Sequence, residues 1–161
     1  MKYHDVIIDL ICYILNQGEA YLFKIDSGNA FDKILRNYHQ FNYNGEKVYR
    51  NLSRMEEHYR FSKNAWENRA NKKNLYFEHL VPIKLIKSDL KDLILESQVS
   101  PNNIRSILDD TEIVVITRKE AKRIDKFHKT TVPKSGNDRL KENNILIAEE
   151  TRNNNLFDSV K

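Results

Sequence analysis

The spacing of apolar residues at the start of the chain predicts an amphipathic helix. Between Tyr3 and Asn16, apolar side chains recur at intervals of three and four residues, which is the repeat of one helix face. Gly18 marks the end of this helix, because glycine readily leaves helical geometry. The same spacing returns from Phe31 to Tyr38 and predicts a second helix.

The next region, from Glu46 to Lys73, contains neither Pro nor Gly and is predicted to be one long helix or two shorter ones. It follows a turn predicted at residues 42–45. The pattern drifts along the segment, but five apolar residues fall near one helical face: Val48, Leu52, Met55, Tyr59 and Trp66.

Strands are predicted only after this helical part of the chain. The first candidate is Leu75–Leu80, and the clearest is Glu112–Thr117, which is rich in the β-branched residues that favour strands. Residues 145–148 form a third, shorter candidate. The second half of the chain therefore mixes strands with helices.

Three helices are predicted between and after these strands. One covers residues 83–96, and another covers residues 102–108 behind a Pro at the first helical position. The third begins at Thr117, since Thr117 and Glu120 have the spacing of a capping box, and it runs to about Phe127.

The sequence predicts an α+β protein with a predominantly helical N-terminal part at residues 1–73, a mixed module at residues 74–150 and a polar tail at residues 151–161. A chain of 161 residues is long enough to bury a core. Its apolar share of 40% and charged share of 31% are ordinary for a globular protein. Four Gly and three Pro are too few for the many turns of a β-sandwich.

Composition also bears on the compartment. Cys12 is the single cysteine, so the chain can form neither an internal disulfide nor a Cys-rich zinc site. The N-terminus lacks the pattern of a signal peptide, and no apolar run approaches the roughly 18 residues that a membrane span requires. We therefore expect a cytoplasmic protein that is not embedded in a membrane.

The net charge of +4 is unevenly distributed along the chain. Residues 32–73 carry a net +5 and residues 118–141 a net +6, whereas residues 74–117 between them carry a net −3. A nucleic-acid enzyme could use this layout, because cations hold phosphates while carboxylates bind metal. An ordinary Lys-rich solvated surface has the same composition, and this alternative stays open.

The residues with the most distinctive chemistry are Glu78 and His79, which end the first predicted strand just before Leu-Val-Pro82. An imidazole titrates near neutral pH and can act as a general base on water. A carboxylate beside it can hold a divalent cation that neutralises the charge on a phosphodiester. A His that only forms a hydrogen bond at a strand end would have the same pattern.

Residues 78–82, the strand at 113–117 and the capped helix after it resemble the ββα-metal (His-Me, or HNH) nuclease motif in a degenerate form. The resemblance implies that His79 faces the start of this helix and is the general base. It also implies a divalent cation, Mg²⁺ or Mn²⁺, held by Glu78 and by a residue of the helix. The helix position that carries a His or Asn ligand in the family falls at Ala121 here, so Glu120 or Asp125 would have to supply the ligand.

Four cations are predicted to contact phosphates: Arg118, Lys122 and Arg123 on the first turns of the capped helix, and Arg69 in the preceding region. We therefore expect a small metal-dependent endonuclease acting on DNA, or a catalytically weakened relative. The resemblance implies a role in restriction or phage defence. The alternative is a non-catalytic module that binds nucleic acid or inhibits a protein partner, and a homodimer is left open.

Overall fold

The structure is a computed structural model that describes residues 2–27, 29–49, 51–131 and 139–148. These residues form nine α-helices, one 3-10 turn at Lys72–Asn74 and three short strands, which confirms the α+β class and the helical N-terminal part. In chain order the elements are α1 (Tyr3–Asn16), α2 (Glu19–Asp26), α3 (Ala30–Gln40), α4 (Leu52–His58), β1 (Arg60–Phe61), α5 (Lys63–Glu67), β2 (Leu75–His79), α6 (Ile83–Leu95), α7 (Pro101–Asp109), β3 (Ile113–Thr117), α8 (Arg118–His128) and α9 (Arg139–Glu142).

The chain divides into two compact units, each built from two separate stretches of sequence. The first unit is Met1–Lys47 with Ile83–Thr111, and the second is Val48–Pro82 with Glu112–Lys161. The first unit contains the helices α1, α2, α3, α6 and α7, and the three strands lie in the second. This division differs from the predicted boundary at residue 73, because the chain leaves the first unit at residue 47 and returns to it at residue 83.

The first unit is organised around α1, which packs against α2, α3, α6 and α7. The apolar stripe of α1 supplies Ile8, Ile11 and Leu15 to the core, each at most 1% exposed. An ion pair between Asp5 and Arg105, at 2.6 Å, joins α1 to α7. Local signals also fix the helix ends in this unit, since the Ser100 hydroxyl caps α7 by accepting from a backbone N–H.

Two histidines lie inside the first unit. The His39 ring is 2% exposed, and its Nε2 is 2.9 Å from the Leu108 carbonyl, while the Nε2 of His4 is 2.9 Å from the Phe41 carbonyl. Burial lowers the pKa of both histidines, to about 4 for His39, because a charged imidazolium ring would lose its hydration in the core. Both rings are therefore neutral at pH 7.

The second unit is built on a three-stranded sheet in the order β1-β3-β2. The central strand β3 pairs in parallel with β1 and antiparallel with β2, in a register that sets Leu75 opposite Thr117 and His79 opposite Ile113. All five residues of β3 are buried, which agrees with its continuous apolar sequence.

Side chains alternate between the two faces of β3. Ile113 and Val115 point to one face, which we call the α4 face, and Val114 and Ile116 point to the other, the α8 face. Buried residues packed on the α4 face are Val48, Met55, Tyr59, Phe61, Ala65 and Leu75. Buried residues packed on the α8 face are Ala121, Ile124, Leu140 and Ile145.

Some predicted elements differ from the structure. The region predicted as one helix or two forms α4 and α5 with β1 between them, because the chain becomes extended at Tyr59 and pairs with β3. Helix α2 was not predicted. In place of a strand at residues 145–148 there is an isolated bridge between Ile147 and Ser62. The predicted tail at residues 151–161 lies outside the described residues.

Among the helices that the structure describes, none is by itself long and apolar enough to cross a membrane. The helices α1 and α2 pass such a test together by length and composition, with a bend of 120° between them. The expected cytoplasmic location stays a prediction.

We predict that the first unit loses stability when the pH falls below 6.5. Between pH 6.5 and about 4 the unfolded chain binds a proton at His39 that the folded chain does not bind. The stability contributed by the neutral ring is therefore complete above pH 6.5 and falls by about 2 kcal/mol between pH 7 and pH 5. Urea unfolding followed by circular dichroism at both pH values measures this loss.

The variant His39→Gln cannot ionise but keeps a donor for the Leu108 carbonyl, so it should lose less stability on acidification than the wild type does. The matched control is His128→Gln, at the partly exposed end of α8 and outside the first unit, and it should lose as much stability on acidification as the wild type does. Equal acid sensitivity of His39→Gln and wild type would disprove the assignment.

Candidate functional site

The predicted general base, His79, lies at the end of β2 and is 5% exposed. Directly opposed residues of an antiparallel pair project to the same face, so His79 shares the α4 face with its partner Ile113. Helix α8 packs on the other face, through Ala121 and Ile124. The expected arrangement, with the imidazole facing the start of α8, is therefore corrected: sheet alternation turns the ring away from that helix.

The predicted metal ligand Glu78 points to the α8 face, one residue out of phase with His79. Its carboxylate forms a buried ion pair with Arg139 of α9, with 2.5 Å between Oε1 and Nη1. The same Nη1 donates a hydrogen bond of 2.8 Å to the His79 carbonyl. Glu78 thus faces a fixed organic cation, where the resemblance implies a metal ion.

Arg139 is the residue of this region that the sequence reasoning missed. It is 3% exposed and stands 61 positions after Glu78, so no spacing rule connects the two. A buried Arg is rare unless it is paired, because removing its charge from water is costly. The pair therefore stabilises the attachment of α9 to the end of β2.

The second candidate ligand, Glu120, has a structural role. Its Oε2 accepts hydrogen bonds from the Thr117 backbone N–H at 2.7 Å, the Thr117 hydroxyl at 2.9 Å and the Ser62 hydroxyl at 2.8 Å, while Oε1 accepts from Asn64 Nδ2 at 2.9 Å. Burial alone would raise the pKa of Glu120, but these hydrogen bonds outweigh burial and lower it. The carboxylate completes the predicted capping box and ties α5 to α8.

Asp125, the remaining ligand candidate, and Ala121, at the position where the family has its ligand, lie on different sides of α8. Ala121 is 6% exposed and packs in the core on the α8 face, whereas Asp125 is exposed on the outer side of the helix. Within the described residues, no group of three or more His, Cys, Asp or Glu side chains could hold a metal ion. The structure does not bring Glu78, Glu120 and Asp125 together as one ligand set.

The predicted phosphate contacts also separate into two kinds. Arg118, Lys122 and Arg123 are exposed on α8. Arg69 is held by its own unit: its Nε donates to Glu56 at 2.8 Å, and its guanidinium lies 4.0 Å from the centre of the Trp66 ring. These contacts engage the guanidinium within its own unit, and the assignment of Arg69 as a phosphate contact stays a prediction.

The outer side of α8 carries a continuous array of cations, which we call the basic face of α8. It consists of six exposed residues: Arg118, Lys119, Lys122, Arg123, Lys126 and Lys129. At 100° per residue these six positions cover an arc of about 140° around the helix axis, opposite the buried Glu120, Ala121 and Ile124. Asp125 lies at its edge.

Net charge differs between the residues of the two units. The residues of the second unit include 18 Lys or Arg and 12 Asp or Glu, a net charge of +6. Those of the first unit include 9 Lys or Arg and 11 Asp or Glu, a net charge of −2. Attraction for a polyanion is therefore concentrated in the second unit.

No protein-family model matches the chain, and neither a curated protein nor a solved structure matches it. The contacts of the described residues give the acidic candidates Glu78 and Glu120 partners inside the protein and leave the basic face of α8 exposed to solvent.

We predict that breaking the Glu78–Arg139 pair is strongly destabilising. Glu78→Gln or Arg139→Met leaves one buried charge without its partner, and each should lower the free energy of unfolding by about 3–5 kcal/mol. The double variant Glu78→Leu/Arg139→Met removes both charges and should cost less than the sum. Urea unfolding, followed by the fluorescence of the single tryptophan Trp66, measures these changes.

The matched control is Glu112→Gln, which breaks a pair with Arg60 in the same sheet. Those two side chains are 41% and 28% exposed, so water replaces the lost partner and the cost should stay below about 1 kcal/mol. Equal costs for the Glu78 and Glu112 variants would contradict the structural role of the buried pair.

We also predict that Mg²⁺ or Mn²⁺ at millimolar concentration leaves the melting temperature unchanged, since a ligand that does not bind the folded state cannot stabilise it. Differential scanning fluorimetry with and without the cation tests this. A metal-dependent rise that Glu78→Gln or Asp125→Asn removes would restore those side chains as ligands.

Proposed function

We propose that this protein is a non-catalytic nucleic-acid-binding module that grips the phosphate backbone through the basic face of α8. The observation that carries the proposal is that face: six exposed cations on one arc of a helix whose other side is packed in the core. Helix α8 has 11 residues and is about 16 Å long, so its cations can reach several successive phosphates.

The packing behind α8 favours binding over mere solubility. The capping box fixes the first turn, and Ala121 and Ile124 anchor the helix to the sheet. Because the backbone of α8 is already fixed, binding of a polyanion has to order only the lysine and arginine side chains. Release of counterions from the nucleic acid then supplies most of the affinity.

We do not propose hydrolysis, because the predicted general base and two of the three predicted metal ligands have other geometry or other partners. His79 lies on the face of the sheet opposite α8, Glu78 is paired with Arg139, and Glu120 accepts four hydrogen bonds. The resemblance to ββα-metal nucleases stays a prediction, and a cleavage assay decides it.

We predict that the variant Lys119→Gln/Lys122→Gln/Arg123→Gln binds a fluorescent duplex DNA more weakly than the wild type does at low salt. Each phosphate contact contributes about one unit to the slope of log affinity against log salt, so the slope should fall by about 3. Fluorescence anisotropy at several salt concentrations measures both quantities.

The matched control replaces three exposed lysines of the first unit, Lys24, Lys33 and Lys84, by Gln. It removes the same charge and should keep most of the affinity and the slope. If both triple variants lose affinity equally, the binding depends on net charge, and the assignment to α8 is rejected.

The same preparations are incubated with supercoiled plasmid and Mg²⁺ or Mn²⁺, alongside His79→Ala. We expect no nicking by the wild type. Nicking that His79→Ala abolishes would overturn the non-catalytic proposal in favour of a nuclease.

A further inference from the structure

A cleft of ≈ 500 Å³ opens in the second unit beside the start of α8. Its floor is apolar: Met55 and Leu75 are buried, and the rings of Tyr49 and Phe77 are partly exposed. Those two rings lie 4.5 Å apart between centres, and Tyr59 packs edge-on against Phe77 from the core. The cleft has the size of a small-ligand site and a firm aromatic floor.

Local structure explains why the cleft forms at this place. Leu75 and Phe77 are two residues apart on β2, so strand alternation presents both to the same side. The 3-10 turn at Lys72–Asn74 leads directly into that strand. Arg118 then donates a hydrogen bond of 2.7 Å from Nε to the Lys73 carbonyl, which joins the turn to the first residue of α8.

The rim of the cleft is cationic. Lys72, Lys73 and Arg118 line it and are exposed, and no acidic residue is among its described lining residues. Two other clefts of the described chain differ in this respect, since Glu67 lines one, and Glu19 and Asp26 line the other. The electrostatic preference of this cleft is for an anion.

The combination of an aromatic floor and a cationic rim selects one kind of occupant. Inorganic phosphate would make no contact with the rings, and a purely apolar ligand would bring no anion to the three cations. A nucleotide uses both features, because its base can lie against an aromatic ring while its phosphate meets the cations.

We propose, on the basis of the nucleic-acid-binding function above, that this cleft holds one unpaired nucleotide of the bound strand. Arg118 belongs both to the rim of the cleft and to the basic face of α8, so a single phosphate backbone can run from one to the other. Bases inside a duplex are paired and stacked and cannot enter. The partner is therefore a single strand, or a duplex with an unpaired end.

The test uses a single-stranded DNA 12-mer that carries the fluorescent base 2-aminopurine, and the same sequence as a blunt duplex. Stacking of 2-aminopurine on the cleft rings should quench its emission. Phe77→Leu keeps the apolar floor but removes the ring. It should weaken single-strand binding by about 5- to 150-fold, which is the usual contribution of one stacked base. Duplex affinity should change little.

Two further variants guard against a folding defect and a general aromatic effect. Lys72→Gln/Lys73→Gln changes two exposed side chains and should lower the affinity for the single strand more than the affinity for the duplex. Phe127→Leu, at an exposed ring of α8 outside the cleft, is the matched control and should leave binding and quenching unchanged. Urea unfolding shows whether Phe77→Leu remains folded.

The outcomes separate this proposal from the proposed function. If both DNA forms bind through α8 but neither Phe77→Leu nor Lys72→Gln/Lys73→Gln affects the single strand or the quenching, the cleft is not a nucleotide site and the binding function stands. If no DNA binds at low salt, the proposed function fails.

In that case nuclear magnetic resonance with deoxyadenosine 5′-monophosphate tests the cleft as a nucleotide site. Chemical-shift changes at Tyr49 and Phe77 that inorganic phosphate does not produce would support a nucleotide site, and their absence would reject it.

Discussion

The pairing of β2 with β3 is the constraint on which the chemistry of the second unit depends. The register sets His79 opposite Ile113 and Glu78 opposite Val114, so neighbouring residues of β2 belong to opposite faces of the sheet. A shift by one residue would exchange every side chain between the two faces. The alternation of β2 opposes such a shift, because Leu75 and Phe77 pack on the α4 face while Glu78 pairs with Arg139, and a shift would exchange apolar and charged side chains.

Two buried carboxylates then hold distant parts of the second unit together. Glu120 joins the starts of α5 and α8, and Glu78 with Arg139 joins the end of β2 to α9. A charge in such a place must be fully partnered, since an uncompensated buried ion costs several kcal/mol. Two of the three acidic residues predicted as metal ligands, Glu78 and Glu120, are thus engaged in holding the fold.

Helix α8 has different surroundings on its two sides. Ala121 and Ile124 attach it to the sheet, while the basic face is directed at solvent. The cleft at its start adds aromatic floor residues to this cationic surface, with Arg118 common to both. In the proposed function, Arg118 connects backbone binding, which is insensitive to sequence, with a pocket that distinguishes paired from unpaired bases.

The sequence by itself determined the elements whose signals are local. Helices α1 and α6, the strand β3 and the capping box of α8 followed from apolar periodicity, β-branched composition and the Thr117–Glu120 spacing, because those features act within a few residues of each other. Only the tertiary structure decided β1, the partner of Glu78 and the face on which His79 lies. A hydrophobic pattern indicates that one side of a helix or strand is buried, but it does not indicate which element covers that side. Arg139 comes 61 positions after Glu78, the carboxylate that it neutralises, so no local pattern connects the two.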